Sequence, residues 1–290
     1  MASMPAPALS GVSLGPVHLT VTDLERSVAW WRTATGLHRR DANAGVAGLG
    51  DARGDVVRLH EDPDARPAGR HAGLFHVALL YPSRMELSRT VRRIAESPIR
   101  LTGASDHGVS EALYLRDPDG NGVELYADRP RASWPPPLRP GERVGMFTEP
   151  LDVQDLLALS AAEPAAGADD VPTVGHVHLQ VGDLVAATAF YRDVVGFDLM
   201  ATYPGAAFLA ADGYHHHVAV NTWAFEGEGS LPERTVGLRA WSVVLRTAEV
   251  LAALHARATA AGHQVHVGDD GSLEIQDPWG IPLRLSAASR

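Results

Sequence analysis

The chain has 290 residues, with 35 acidic and 25 basic side chains, a net charge of −10 and no cysteine. That balance argues against nucleic-acid or anionic-membrane binding through basic patches, and the missing cysteines exclude disulfides and thiolate metal sites. Any metal must be held by His, Asp, Glu or backbone oxygen, a donor set suited to iron(II), manganese or zinc. No apolar run approaches the ~18 residues of a membrane span. The opening MASMPAPALSGV does not read as a signal peptide, so a cytoplasmic protein is expected.

In chain order, residues 15–37 (GPVHLTVTDLERSVAWWRTATGL) predict a strand and a helix N-capped by Asp23, with Leu24, Val28 and Trp31 near helical spacing. Residues 73–99 predict a strand, a loop and an amphipathic helix, followed by the hairpin LYLRDPDGNGVELY. Apolar and polar residues alternate on both sides of its Asp/Gly/Asn turn. Pro-rich sequence then marks a linker, with a short helical patch inside it. Residues 175–197 (GHVHLQVGDLVAATAFYRDVVGF) repeat 15–37 at an offset of 160 residues, with Asp183 as the matching cap. Residues 237–263 repeat the second pattern, with Leu251, Leu254 and Ala258 on one helix face, and lead to a second hairpin, LEIQDPWGIPLRL. Each of the four units is a strand, a helix and three strands. The expected organisation is two units in 12–128, a linker at 129–172 and two units in 173–287.

Four βαβββ units in pairs resemble the vicinal oxygen chelate superfamily, with its glyoxalase-like fold, over nearly the whole length. The resemblance implies an α+β fold in which paired units form two open barrels. A metal would sit in a cup, with ligands from first and last strands. The strand-one candidates are His18, His76, His178 and Ser242. On the last strand, the seventh residue after the turn aspartate is Glu124 in unit two and Arg284 in unit four. Unit four therefore lacks both groups, and unit two has both. The expected ligands are His76, Glu124 and a second histidine, making a 2-His-1-carboxylate set with open positions. His176, His178 and Gln180 alternate onto one face. His178 is the expected third ligand and His18 the alternative. The run GYHHHVAV (213–220), expected on the last strand of unit three, favours a cup shared by units two and three. His38, His60, His71, His255, His263 and His266 read as ordinary core or rim histidines.

SDHGVSEALYLRDPDGNGVELY (105–126) is similar to the extradiol ring-cleavage dioxygenase motif, with His107, Leu113-Tyr114, Asp117-Pro118, Gly120 and Glu124 in register. The chain looks most like the catechol 2,3-dioxygenase branch. In the commonest members of that branch the metal lies in the C-terminal half, whereas here unit two must supply it. The resemblance implies cleavage of a catechol beside its diol by O2 at Fe(II), with Mn(II) or Zn(II) as other occupants, giving a muconic semialdehyde. It places His216 as acid–base group and His107 and Tyr114 around the substrate oxygens or the carboxylate. A small aromatic diol is the implied partner, with neither nucleic acid nor membrane, and a homo-oligomer is compatible with the sequence. Trp134, Trp223, Phe225 and Trp241 are candidate lining residues. A hydroquinone-type ring cleaver or glyoxalase-like metalloenzyme is one alternative. A non-catalytic binding protein of the resistance type is the other.

Overall fold

The structure, a computed structural model, describes residues 9–288 apart from 42, 162–170, 226, 228 and 231. Part of the expected linker thus lies outside the described residues. Within it, the short helix Val153–Leu159 is present.

The local elements form where caps and periodicity place them. Asp23, Ser83, Asp183 and Thr247 each accept a backbone N–H at the start of the four unit helices, Leu24–Thr35, Arg84–Ala95, Leu184–Ala189 and Ala248–Ala260. These side chains satisfy donors that a helix start leaves unpaired. The third helix continues as a wider turn, Phe190–Val195, which buries Phe190, Tyr191, Val194 and Val195. Glycines in left-handed conformation end the first and third helical stretches, Gly36 at φ 80° and Gly196 at φ 103°.

Two curled sheets result, and each takes one unit from each half of the chain. In the first, Gly103–Asp106, Ser110–Arg116, Gly122–Asp128 and Gly73–Leu80 of unit two continue into Thr173–Gln180, Val218–Asn221, Ala206–Ala210 and Asp198–Tyr203 of unit three. In the second, units one and four join where Val17–Val21 pairs antiparallel with Gly237–Leu245. The segments 12–128 and 173–287 are therefore repeats in sequence, and neither is a sheet by itself.

Each inner strand has two faces. Val77, Leu79, Val123, Leu125, Val177 and Leu179 are fully buried in the core, each such side chain contributing roughly 1.5–3 kcal/mol. The opposite face lines a cup. On that face, Tyr114 is paired with Glu124, Glu124 with Ala78 and Ala78 with His176, across four adjacent strands. Among the described residues, no helix is long and apolar enough to cross a membrane.

The join between units needs a glycine. A Cβ on Gly175 would lie 1.9 Å from the Tyr126 hydroxyl, and that ring is fully buried with its hydroxyl 2.8 Å from Tyr214. We expect Gly175→Ala to cost about 1–3 kcal/mol in denaturant unfolding, the range for overpacking a tight core. An unchanged midpoint would mean that the join can relax.

Candidate functional site

Glu124 lies at the middle of the unit-two sheet and is 2% exposed. His76 Nε2 is 2.9 Å from its Oε2, and His176 Nε2 is 3.3 Å from the same oxygen. Potential ligand atoms of His76, Glu124 and His176 all lie within 4.8 Å of one another. Ala78 makes this convergence possible, because only a methyl group stands between Glu124 and His176 in the cross-strand row.

Burial pushes the Glu124 carboxyl upward, but the His176 and His76 imidazoles outweigh it and hold it well below the carboxylate range. Burial lowers His176 to about 4, against the pull of Glu124. It is therefore a neutral imidazole near pH 7, the form that binds metals. His76 Nε2 and His176 Nδ1 are both buried without a hydrogen-bond partner. Buried polar atoms are normally satisfied. Two imidazoles and a carboxylate with potential ligand atoms within 4.8 Å of one another, and two buried nitrogens without partners, fit a divalent first-row cation.

His176, and not the expected His178, stands beside Glu124. His178 is two residues further on the same strand, where its Nε2 meets Asn221 Nδ2 at 2.9 Å. Alternation puts both histidines on one face and does not choose between them. The helix caps do: His76 lies seven residues before cap Ser83, and His176 seven before cap Asp183. The same count in the other sheet reaches Pro16 and Ala240 rather than His18 and Ser242.

His18 itself lies in the second cup, with Nδ1 3.0 Å from His60 Nε2 and Nε2 3.5 Å from Arg284. Arg284 pairs with Glu274, and Ser242 donates to the Pro16 carbonyl. Burial, then Arg284, lowers His18 to about 3; burial, then Arg239, lowers His60 to about 4.

The remaining predicted residues surround the first cup. A cavity of about 290 Å³ is lined by His76, Glu124, His176, His178, His216, His107, Tyr114 and an apolar set including Phe75, Met146, Phe147, Phe208 and Trp223. His107 Nδ1 donates to the Phe147 carbonyl at 2.8 Å, so a neutral His107 accepts the Tyr114 hydroxyl at its Nε2, 2.7 Å away. Burial, then the Glu124 carboxylate, raises Tyr114 well above its ordinary pKa. Of the four candidate aromatics, Trp223 lines the cavity. Trp241 is fully buried in the core, Phe225 packs against that core, and Trp134 donates to the Arg129 carbonyl.

The triple histidine precedes the strand Val218–Asn221 instead of lying on it. His215, His216 and His217 are all buried. The His216 ring lies 4.0 Å from the His176 ring, tilted by 50° to it, and its Nδ1 is 2.8 Å from His215 Nδ1. His215 Nε2 meets Asp128 at 2.9 Å. Burial, then His176, pushes His216 well below 6.5. Sequence reading missed His176, Asp128, His215 and Asn221. The cap spacing is the only one of these signals carried in the sequence.

A model of the glyoxalase/bleomycin resistance protein/dioxygenase superfamily matches residues 13–125 and 173–285. A catechol-2,3-dioxygenase of Bacillus subtilis is 39% identical over 272 residues, covering 91% of this chain and 93% of that protein. Among solved structures, a Bacillus subtilis protein provisionally described as a dioxygenase superposes with TM-score 0.69 at 9% identity, over 98% of this chain and 87% of the other. Glyoxalase I of Zea mays superposes with TM-score 0.58 at 15% identity, over 95% and 92%. At those identities the two structures share the fold.

Two outcomes are expected. After anaerobic loading with iron(II), His176→Ala should lose the metal while His178→Ala and His18→Ala keep it, as read by elemental analysis. Loss from His178→Ala with retention in His176→Ala would reverse the assignment. The second outcome concerns pH. His18 and His60 stay neutral in the folded chain down to about 3 and 4, whereas an unfolded chain protonates them near 6.5. Their contribution is complete above about pH 6.5 and is lost as pH falls from there towards 4. Urea midpoints of metal-free protein should decline over that window, and His18→Gln with His60→Gln should flatten the decline.

Proposed function

The chain belongs to the glyoxalase/bleomycin resistance protein/dioxygenase superfamily as a catechol-2,3-dioxygenase-like enzyme, and on that footing we propose that it cleaves catechol or a substituted catechol with O2 at Fe(II). The product would be the muconic semialdehyde of extradiol opening. The observation that carries this reading is the convergence of His76, His176 and Glu124 on the wall of an aromatic cavity that also holds His216. Iron(II) held there would supply the redox chemistry that lets dioxygen react with the ring.

The chain's own part is positional and protonic. Asp128 accepts the Nε2 hydrogen of His215, so a neutral His215 turns a bare Nδ1 towards His216. His216 Nδ1 must then supply the hydrogen between them, which leaves its Nε2 unprotonated and able to act as a base. It takes one catechol hydroxyl proton and returns it to the oxygen that departs later. Tyr114, held by His107, places a phenolic group beside Glu124 and keeps the carboxylate and substrate oriented. Phe75, Phe208, Phe147 and Trp223 exclude water and favour a flat ring. Among the described residues the lining has no cationic side chain apart from its histidines, so a catechol without an acidic substituent is the preferred guest. A resistance-type binder would have no use for three buried ligands, and the described cluster has one carboxylate where isomerases of this fold carry more.

Protein loaded anaerobically with iron(II) should turn catechol yellow on admitting air, as semialdehyde absorbance rises; zinc-loaded protein should not. His216→Ala should keep its iron and turn over roughly 10²–10⁴-fold more slowly. Stoichiometric iron without any yellow product from catechol or alkylcatechols would remove this reading.

A further inference from the structure

His178 has a different use from the one its neighbour His176 serves. Its tautomer can be read from a chain of two hydrogen bonds. The backbone N–H of Trp223 donates to Asn221 Oδ1 at 3.1 Å. A backbone N–H can only donate, so that amide oxygen is fixed as the acceptor. The other end of the amide, Nδ2, therefore faces His178 Nε2 at 2.9 Å and donates to it. An imidazole nitrogen that accepts is unprotonated, so the ring hydrogen of neutral His178 sits on Nδ1. Among the described residues nothing takes that hydrogen, and His178 is a lining residue of the cavity. Phe75 and Trp223 hold the ring from two sides, at 4.9 and 5.4 Å between centroids.

We infer that His178 is a fixed hydrogen-bond donor to an oxygen of the guest in the cup, with Asn221 as the positioning residue that sets its tautomer. The function follows from what the ring cannot do. Nε2 is occupied by an amide that has no proton to exchange at neutral pH, so His178 does not relay protons. It presents one N–H in one direction, opposite in character to the bare nitrogen of His216. The guest oxygen belongs either to the diol or to dioxygen, and the two sources are separable by experiment. This inference rests on the ring-cleavage reading for the identity of the guest, and on geometry alone for the tautomer.

The tautomer is tested on metal-free, ¹⁵N-histidine-labelled protein by long-range ¹H–¹⁵N correlation, with no substrate present. His178 should show a protonated Nδ1 and a bare Nε2. A proton on Nε2 would overturn the inference whatever the enzyme's activity. Asn221→Asp replaces the donor with an acceptor and should move the hydrogen to Nε2, while iron content is unchanged; an unaltered spectrum would refute the role of Asn221. On iron-loaded protein, His178→Leu should keep the metal. It should raise either the anaerobic dissociation constant for catechol or the KM for O2 by about tenfold, the scale of one hydrogen bond. The first result assigns the oxygen to the diol and the second to dioxygen. His178→Asn, whose amide overlies the Nδ1 position, should recover most of the loss. Unchanged constants in both His178→Leu and Asn221→Asp would overturn the donor role. Should iron-loaded wild-type protein neither bind nor cleave catechol, the ring-cleavage reading fails while the tautomer result stands by itself.

Discussion

A carboxylate at 2% exposure in the middle of a sheet is the constraint around which the first cup is built. Taking such a charge out of water costs several kcal/mol unless opposite charge or hydrogen bonds replace its hydration. At Glu124 imidazole nitrogens from two different strands stand within 3.3 Å of one carboxylate oxygen, and the strands must be close and correctly registered to deliver them. Ala78 is the small residue that lets them meet, and Gly175 is the small residue that lets those strands approach under Tyr126. Charge, register and residue size are here one requirement stated three ways.

The cup then distinguishes among chemically identical side chains by what each is forced to accept or donate. His107 gives its Nδ1 hydrogen to a backbone carbonyl and receives a phenol. His178 receives an amide hydrogen from Asn221 and lines the cavity. His216 is the member of a relay ending on Asp128. His76 and His176 retain nitrogens without hydrogen-bond partners. For His107, His178 and His216 the hydrogen-bond partners settle where the ring hydrogen lies, so that few neighbouring groups decide the chemistry of the site.

The repeat, the caps Asp23 and Asp183 and the hairpins were legible in the sequence because they depend on local spacing, and the structure follows them. His76 and Glu124 were legible for the same reason, since the second hairpin offers Arg284 in place of the carboxylate as an internal comparison. The third histidine was not separable by alternation, because residues two apart share a face and both His176 and His178 satisfy the pattern. Distance to the cap, a measure along the chain, carries the missing information. Asp128 and Asn221 were illegible for a different reason. Their partners, His215 and His178, are 87 and 43 residues away, and no short-range pattern marks such a pair. The merging of units two and three into one sheet was inferred from the company His216 keeps, and the strand pairing of Gly73–Leu80 with Thr173–Gln180 places them together.

That exchange of units between halves has a consequence for how the chain is made. Strand Gly73–Leu80 waits for a partner that begins at Thr173, and Val17–Val21 waits for one that begins at Gly237. During synthesis the first half emerges with two unpaired inner strand edges and cannot close either cup. Pairings of such long sequence separation are slow to form, because chain closure must precede the contacts that reward it. His76, Glu124 and His176 therefore come together only after Thr173–Gln180 has been made and paired. Until the second half has been made, Gly73–Leu80 and Val17–Val21 lack the strands that complete their sheets.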